Sequence, residues 1–364
     1  MTGLALPGLL TGQQLRATAE HIASQQLPSG LVPWFTGHHA DPWDHVEAAM
    51  ALSVAGMYAQ ARQAYAWSAA TQASDGTWPM VTATEHGIEQ TTDASVDANQ
   101  CAYLAVGVWH HWLLTNDAAF VHSMWPVVRA AIDFVCDLQQ PGGAICWSRD
   151  ASGSVNPTAL LTGSACMVLS IRCAVALGDL VGDPRPDWEL SAGRLAHAVA
   201  LHPDAFEDRS RFSMDWYYPV LGGAVRGAAA RASIAARWDQ FVVPGRGARC
   251  VSDRPWVTAA ETCELVLTLD AVGDRVRAGQ LMRDVQFCRA DDGGYWTGWV
   301  YPEDEFWPAE QSTWTGAAVI LAADALADHS AAHALFRGDD LPRLWQMIDC
   351  DEQCYARIGS VSDQ

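Results

Sequence analysis

The chain has 364 residues and a formal charge of −20, from 42 acidic and 22 basic side chains. Such a surface repels phosphate backbones, which argues against nucleic acid and anionic membranes as partners. Every basic residue is Arg and there is no Lys, so Schiff-base chemistry, pyridoxal-phosphate anchoring and P-loop phosphate binding are excluded.

The start, Met1 to Pro7, has no basic stretch and no long apolar run. No signal peptide is expected, nor a continuous apolar run of the ~18–20 residues that a membrane span needs. The cytoplasm is the default location. Ten Cys are scattered without a CxxC pair, as reduced, buried thiols would be.

Internal repetition is the main signal. A Gln closing a helical stretch is followed by Gly and then an aromatic: Gln26, Gly30 and Trp34; Gln72, Gly76 and Trp78; Gln139, Gly143 and Trp147; Gln286, Gly294 and Trp296. Gln240 with Gly245 and Gly247 is a weaker copy. In chain order, amphipathic helices are predicted over 13–26, 59–72, 119–139, 188–202, 228–240 and 275–288. Each is followed by a segment apolar nearly all round: 43–56, 93–113, 157–177, 219–225, 256–272 and 310–326. A helix apolar on all sides is buried. Alternation of the two kinds predicts outer and inner rings, an all-α (α/α)6 toroid of six hairpins. Residues 1–330 read as one domain and 331–364 as a short helical tail.

In such a toroid all six outer-to-inner loops open on one end, and the unusual residues collect there. The first loop brings Trp34, His38, His39, Trp43, Asp44, His45 and Glu47, and the second Trp78, Asp93, Asp97 and Asn99. The fourth brings Asp215, Trp216, Tyr217 and Tyr218, and the fifth Trp256 and Glu261. The sixth carries Trp296, Trp299, Glu303 to Glu305, Trp307, Glu310 and Trp314. The connections at the other end are short and bland. Aromatic faces beside carboxylates suit sugars, whose C–H bonds stack on rings while hydroxyls bond to acids; they also suit carbocations. Paired carboxylates are the tool of glycoside hydrolysis, one protonating the leaving oxygen and one activating water. Asp97 and Asp215 are the candidate acids, Glu310 and Glu261 the candidate bases, with the roles interchangeable. The other aromatic and polar residues of these loops are candidate substrate ligands. His38 and His39 lack a third ligand at metal-binding spacing, so neither metal nor cofactor is expected.

Two resemblances follow from these motifs. Gln72-Ala-Ser-Asp-Gly-Thr-Trp78 resembles the QW repeat of terpene cyclases and protein prenyltransferases. The stretch from Asp93 to Val135, and Pro255-Trp-Val-Thr258 through Asp274, resemble six-hairpin glycosidases of the glucoamylase kind. The Asp-x-Asp-Asp acid of the cyclases and the zinc set of the prenyltransferases have no counterpart here. The resemblance implies an inverting hydrolase of a glucoside or small oligosaccharide. The alternatives are an enzyme of isoprenoid diphosphates and a non-catalytic toroid that binds a glycan or lipid-linked sugar.

Overall fold

The computed structural model describes residues 3–344. Its chain alternates outer and inner helices. The first hairpin pairs α1 (Gly12–Gln25) with α2 (Pro42–Val54). The second pairs α3 (Tyr58–Thr71) with a broken rod of α4 (Ala98–Ala102) and α5 (Leu104–Thr115). Then come α6 (Ala118–Asp137) with α7 (Leu161–Val181), and α8 (Pro186–Leu201) with α9 (Ser213–Leu221). Last are α10 (Gly227–Ala236) and α11 (Trp238–Phe241) with α12 (Ala259–Ala271), and α13 (Arg275–Asp284) with α14 (Thr313–Ala327).

The inner rods pack side by side in the order α2, α5, α7, α9, α12, α14 and back to α2, which closes the ring. Composition explains who goes inside. Every residue of α12 from Ala259 to Asp270 is buried, whereas α1 buries only Leu15, Thr18, Ala19 and Ile22, a single helical stripe. By length and apolarity α6 and α7 could each cross a membrane. Here α6 packs its apolar face inward and α7 is an inner rod, buried by its neighbours.

The repeated Gln and Gly have a mechanical role. Gln26 Nε2 donates to Gly30 O and to Gln60 O of α3, both at 2.9 Å. Gln72 does the same to Gly76 O and Val127 O of α6, and Gln139 to Gly143 O and Ser191 O of α8. Each Gln therefore ties its own loop to the next outer helix. The fourth copy differs from expectation. The same turn, with its backbone bonds from Ala290 to Gly294 and from Gly293 to Ala290, puts Arg289 in the Gln position and Gly293 in the Gly position. Gly293 abuts Ala17 of α1 and closes the outer ring. Gln286 instead bonds Met282 O and the Tyr295 hydroxyl.

Several predicted boundaries shift. The inner helix expected over 219–225 runs Ser213–Leu221 and stops where Gly222 meets α7: a Cβ there would lie 1.9 Å from Ala165 O. Asp93 lies in a strand, and α4 begins only after Asp97, whose Oδ1 accepts the Asn99 and Gln100 N–H groups. Glu310 does not begin a helix, because Ser312 caps α14.

Short antiparallel strands, absent from the all-helical expectation, shape the loops. Strands β1 (His39–Ala40), β2 (Val81–Ala83) and β3 (Gln90–Asp93) form one sheet, and β4 (Val96–Asp97) pairs with β5 (Ser148–Arg149). Strands β6 (Val242–Val243), β7 (Gly247–Arg249), β8 (Trp256–Thr258), β9 (Gly298–Val300) and β10 (Glu305–Phe306) form a third. Segments of two to four residues are too short to show the alternation that marks a strand. Beyond α14 the described residues continue as turns with one 3₁₀ segment, Leu335–Arg337. The rest of the expected helical tail, with Cys350 and Cys354, lies outside the described residues.

Candidate active site

All inner helices start at the same end of the toroid, and most bring an acid to it. Asp41 caps α2 and Asp44 lies in its first turn; Asp97 caps α4; Asp215 and Glu261 lie in the first turns of α9 and α12. Glu310 precedes α14. The rod α7 has no acid in its first turn, but its Thr162 hydroxyl donates to Asp215 Oδ1 at 2.5 Å. Helix N-termini favour negative charge, so the arrangement concentrates carboxylates where backbone dipoles tolerate them.

Asp97 and Asp215 line one cavity of about 390 Å³, together with Asn99, Trp147, Thr162 and Arg209. Burial pushes the Asp97 carboxyl up to about 6 against the two helix N–H groups that hold it down. Asp215 is raised by the same cause, opposed by Thr162. Cys250 lines this cavity and its thiol bonds to Glu261, joining the cavity to α12.

Deeper on the axis lies a second tier. The three-residue spacing of Asp44 and Glu47, and of Glu261 and Glu264, stacks each pair on one helix face. Glu47 accepts the Tyr103 hydroxyl at 2.9 Å. Glu264 accepts both Tyr217 and Tyr218, the latter at 2.6 Å. Glu47, Tyr103, Cys166, Tyr218 and Glu264 enclose a small void. Burial, then Asp41, Glu47 and Glu264, hold the Asp44 carboxyl well above the usual range. A carboxyl raised in this way keeps its proton to higher pH than an exposed one.

The aromatic residues separate into two groups. Trp43 stacks on Tyr103 with centroids 4.4 Å apart, Trp314 lies against Trp43, and Trp34 donates to Glu310 Oε1 at 2.7 Å. These face the acids. Trp78 and Trp216 do not: their indole N–H groups bond Ser68 O and Ser233 O, and Trp216 stacks on Phe241 behind α9. Both fill the space between the rings. His45 is likewise a packing residue, its ring nitrogens bonded to Val32 N and Ala64 O. Asp93 accepts the Ser95 N–H in the β3 hairpin. Trp296 and Trp299 pack on Phe306 and Phe287 around the third sheet, while Trp256 and Trp307 meet edge to face at its rim. Tyr217 and Tyr218 are buried and serve Glu264.

No family model matches the chain. The MMP endo-(1,4)-3-O-methyl-alpha-D-mannosidase of Mycolicibacterium hassiacum is 57% identical over 338 residues, 93% of each chain. The chain belongs to this mannosidase family. It is a glycoside hydrolase, as the resemblance implied. Among solved structures, a wild-type glycosidase matches with TM-score 0.65 and 15% identity over 86% of this chain and 95% of its own. A D-mannose isomerase matches with TM-score 0.62 and 11% identity over 87% and 97%. A rhamnosidase from Klebsiella oxytoca with rhamnose bound matches with TM-score 0.57 and 14% identity over 88% and 64%. At these identities the likeness is one of fold.

Within this mannosidase-family chain, the sequence reading passed over Asp41 and Tyr103 and took Glu264 as an acid at a helix start, where negative charge is favoured anyway. The signal for Glu264 was present: Asp-x-x-Glu at 44–47 and Glu-x-x-Glu at 261–264 place two acids on one face of each inner helix. The Gln–Gly phrase is architectural, so its likeness to the QW repeat carries no isoprenoid chemistry.

Proposed function

We propose that the chain is an endo-acting hydrolase of α-(1,4)-linked 3-O-methyl-D-mannosides, working with inversion. The relative's specificity supports a mannoside in place of the glucoside read from sequence. The observation that carries the chemistry is the half-buried Asp44 carboxyl in the first turn of α2, held well above the usual carboxylate range by burial and by the acids around it, Asp41, Glu47 and Glu264. Asp44 protonates the glycosidic oxygen as the bond to the anomeric carbon breaks. Glu261, in the first turn of α12, takes a proton from the water that attacks the opposite face. This moves the acid role from Asp97 and Asp215 to Asp44. Those two, with Asn99, hold sugar hydroxyls in the cavity they share, and Glu310 is positioned by Trp34. The free thiols among the described cysteines fit a reducing cytoplasm.

The test uses a linear 3-O-methylated α-(1,4)-oligomannoside followed by proton NMR of the newly formed reducing end. Inversion gives the β-anomer first. Asp44→Asn and Glu261→Gln lower kcat by about 10²–10⁴, the contribution of a general acid or base. Wild-type turnover in both variants would reject the assignment.

A further inference from the structure

Six ring contacts join seven rings from the rim to the axis. Phe35 stacks on His38 at 4.5 Å between centroids, His38 meets His39 at 4.6 Å, and His39 stacks on Trp34 at 5.6 Å. Trp34 then meets Trp314 at 5.7 Å, Trp314 meets Trp43 at 6.1 Å, and Trp43 stacks on Tyr103 at 4.4 Å. The inner end of the series is buried and the outer end is not. His38 is exposed, Phe35, His39, Trp34 and Trp314 are half-buried, and Trp43 and Tyr103 are buried.

The rings also touch the acids. Trp34 reaches Glu310 midway and Tyr103 ends on Glu47. The buried Trp314 Nε1 has no partner among the described residues, as is also true of Trp109 Nε1 on α5, whereas Trp34, Trp78 and Trp216 have theirs. A buried donor left unpaired is costly, and an oxygen of a bound sugar would satisfy it.

The chemistry of a methylated mannan matches this wall. A methyl ether at O3 removes a hydroxyl donor and adds an apolar group, so that edge of each sugar favours rings over carboxylates. Across the barrel, Asp97, Asn99, Thr162 and Asp215 offer the polar partners that free hydroxyls need. An endo-acting enzyme must also hold sugar residues well beyond the bond it breaks.

We propose that the outer rings of this succession, Phe35, His38, His39, Trp34 and Trp314, are the track for one uncleaved arm of the methylated glycan, with Phe35 and His38 as a distal subsite at the rim. The inference rests on the mannosidase reading and extends it to residues outside the barrel.

The test compares kcat/KM for the shortest cleaved 3-O-methylated α-(1,4)-oligomannoside with that for a chain several residues longer. The ratio of long to short is the readout, in wild type, Phe35→Ala, Phe35→Trp and His38→Ala. Phe35→Ala and His38→Ala lower the ratio about five- to tenfold, the scale of one ring contact, and Phe35→Trp keeps it. A ratio equal to wild type in both alanine variants would overturn the track, even though wild-type cleavage upheld the mannosidase reading. If wild type cleaves no member of the series, the mannosidase reading falls and the track with it. Thermal unfolding of Phe35→Trp and Phe35→Ala at equal midpoints shows that a change in ratio is not loss of fold.

Discussion

The Tyr103 hydroxyl donates to Glu47 Oε2 at 2.9 Å, joining the second inner rod to the first on the axis of the toroid. This is one neutral donor for a carboxyl sealed from water, beneath Asp44 and in the same void as Glu264.

The first prediction concerns stability against pH. Burial pushes Glu47 up to about 8, so folding takes up a proton at any pH between its ordinary value, near 4.5, and 8. The stability this group contributes is fully present below about 4.5 and is lost as pH rises through about 8. The total is on the order of 5 kcal/mol. The melting temperature of wild type should fall between pH 6 and 9, and that of Glu47→Gln should fall less. Parallel melting curves against pH in the two proteins would refute the role given to Glu47.

A second prediction separates the two duties of Asp97. Its Oδ1 caps α4, and its carboxyl borders the cavity. Asn keeps an acceptor oxygen for the cap, while Ala removes it at a cost of about 1 kcal/mol. Asp97→Asn should therefore match wild type in denaturant midpoint within error, yet lose kcat/KM about tenfold or more through one lost charge-assisted bond to substrate. Activity equal to wild type in Asp97→Asn would confine this residue to capping.

The third prediction addresses the outer ring. Gly76 has φ +87° and a Cβ there would sit 2.2 Å from Ala130 O of α6. Gly76→Ala meets both a left-handed backbone and a backbone clash, and should cost about 3 kcal/mol or more in chemical denaturation. Gly153 also has a positive φ, at +92°, but nothing lies within 4 Å of its Cβ. Gly153→Ala should therefore cost only about 1 kcal/mol. Equal losses at the two sites would remove the steric part of the argument.

Much of the fold was legible because burial leaves a period in the sequence. The all-apolar run that became α7 and the single stripe of α1 are local patterns, and each states which side of the helix meets protein. The Gln–Gly phrase was equally visible, since the same loop geometry demands the same two residues wherever an outer helix meets the next. Its fourth copy was misread at Gln286 because Arg289 holds the Gln position, and only backbone bonding reveals that equivalence.

The site was legible as a set of loops rather than as roles. Sequence order put Asp44, Asp97, Asp215, Glu261 and Glu310 at one end of the barrel, because every inner helix starts there. It could not say that Trp78 and Trp216 turn their N–H groups to carbonyls between the rings while Trp34 turns its own to Glu310, 276 positions away. Nor could it rank the acids. A carboxyl's charge depends on the water removed from it and the charges around it. For Asp44 those neighbours are Asp41 and Glu47 on its own helix and Glu264 across the axis. The chain alone determined the ring of hairpins and the end at which these acids and indole rings collect, since both follow from periodicity and alternation. Which carboxyl is pushed up furthest from its ordinary range, and which rings stand beside the acids, was decided only when the ring closed and brought residues more than 200 positions apart within electrostatic reach.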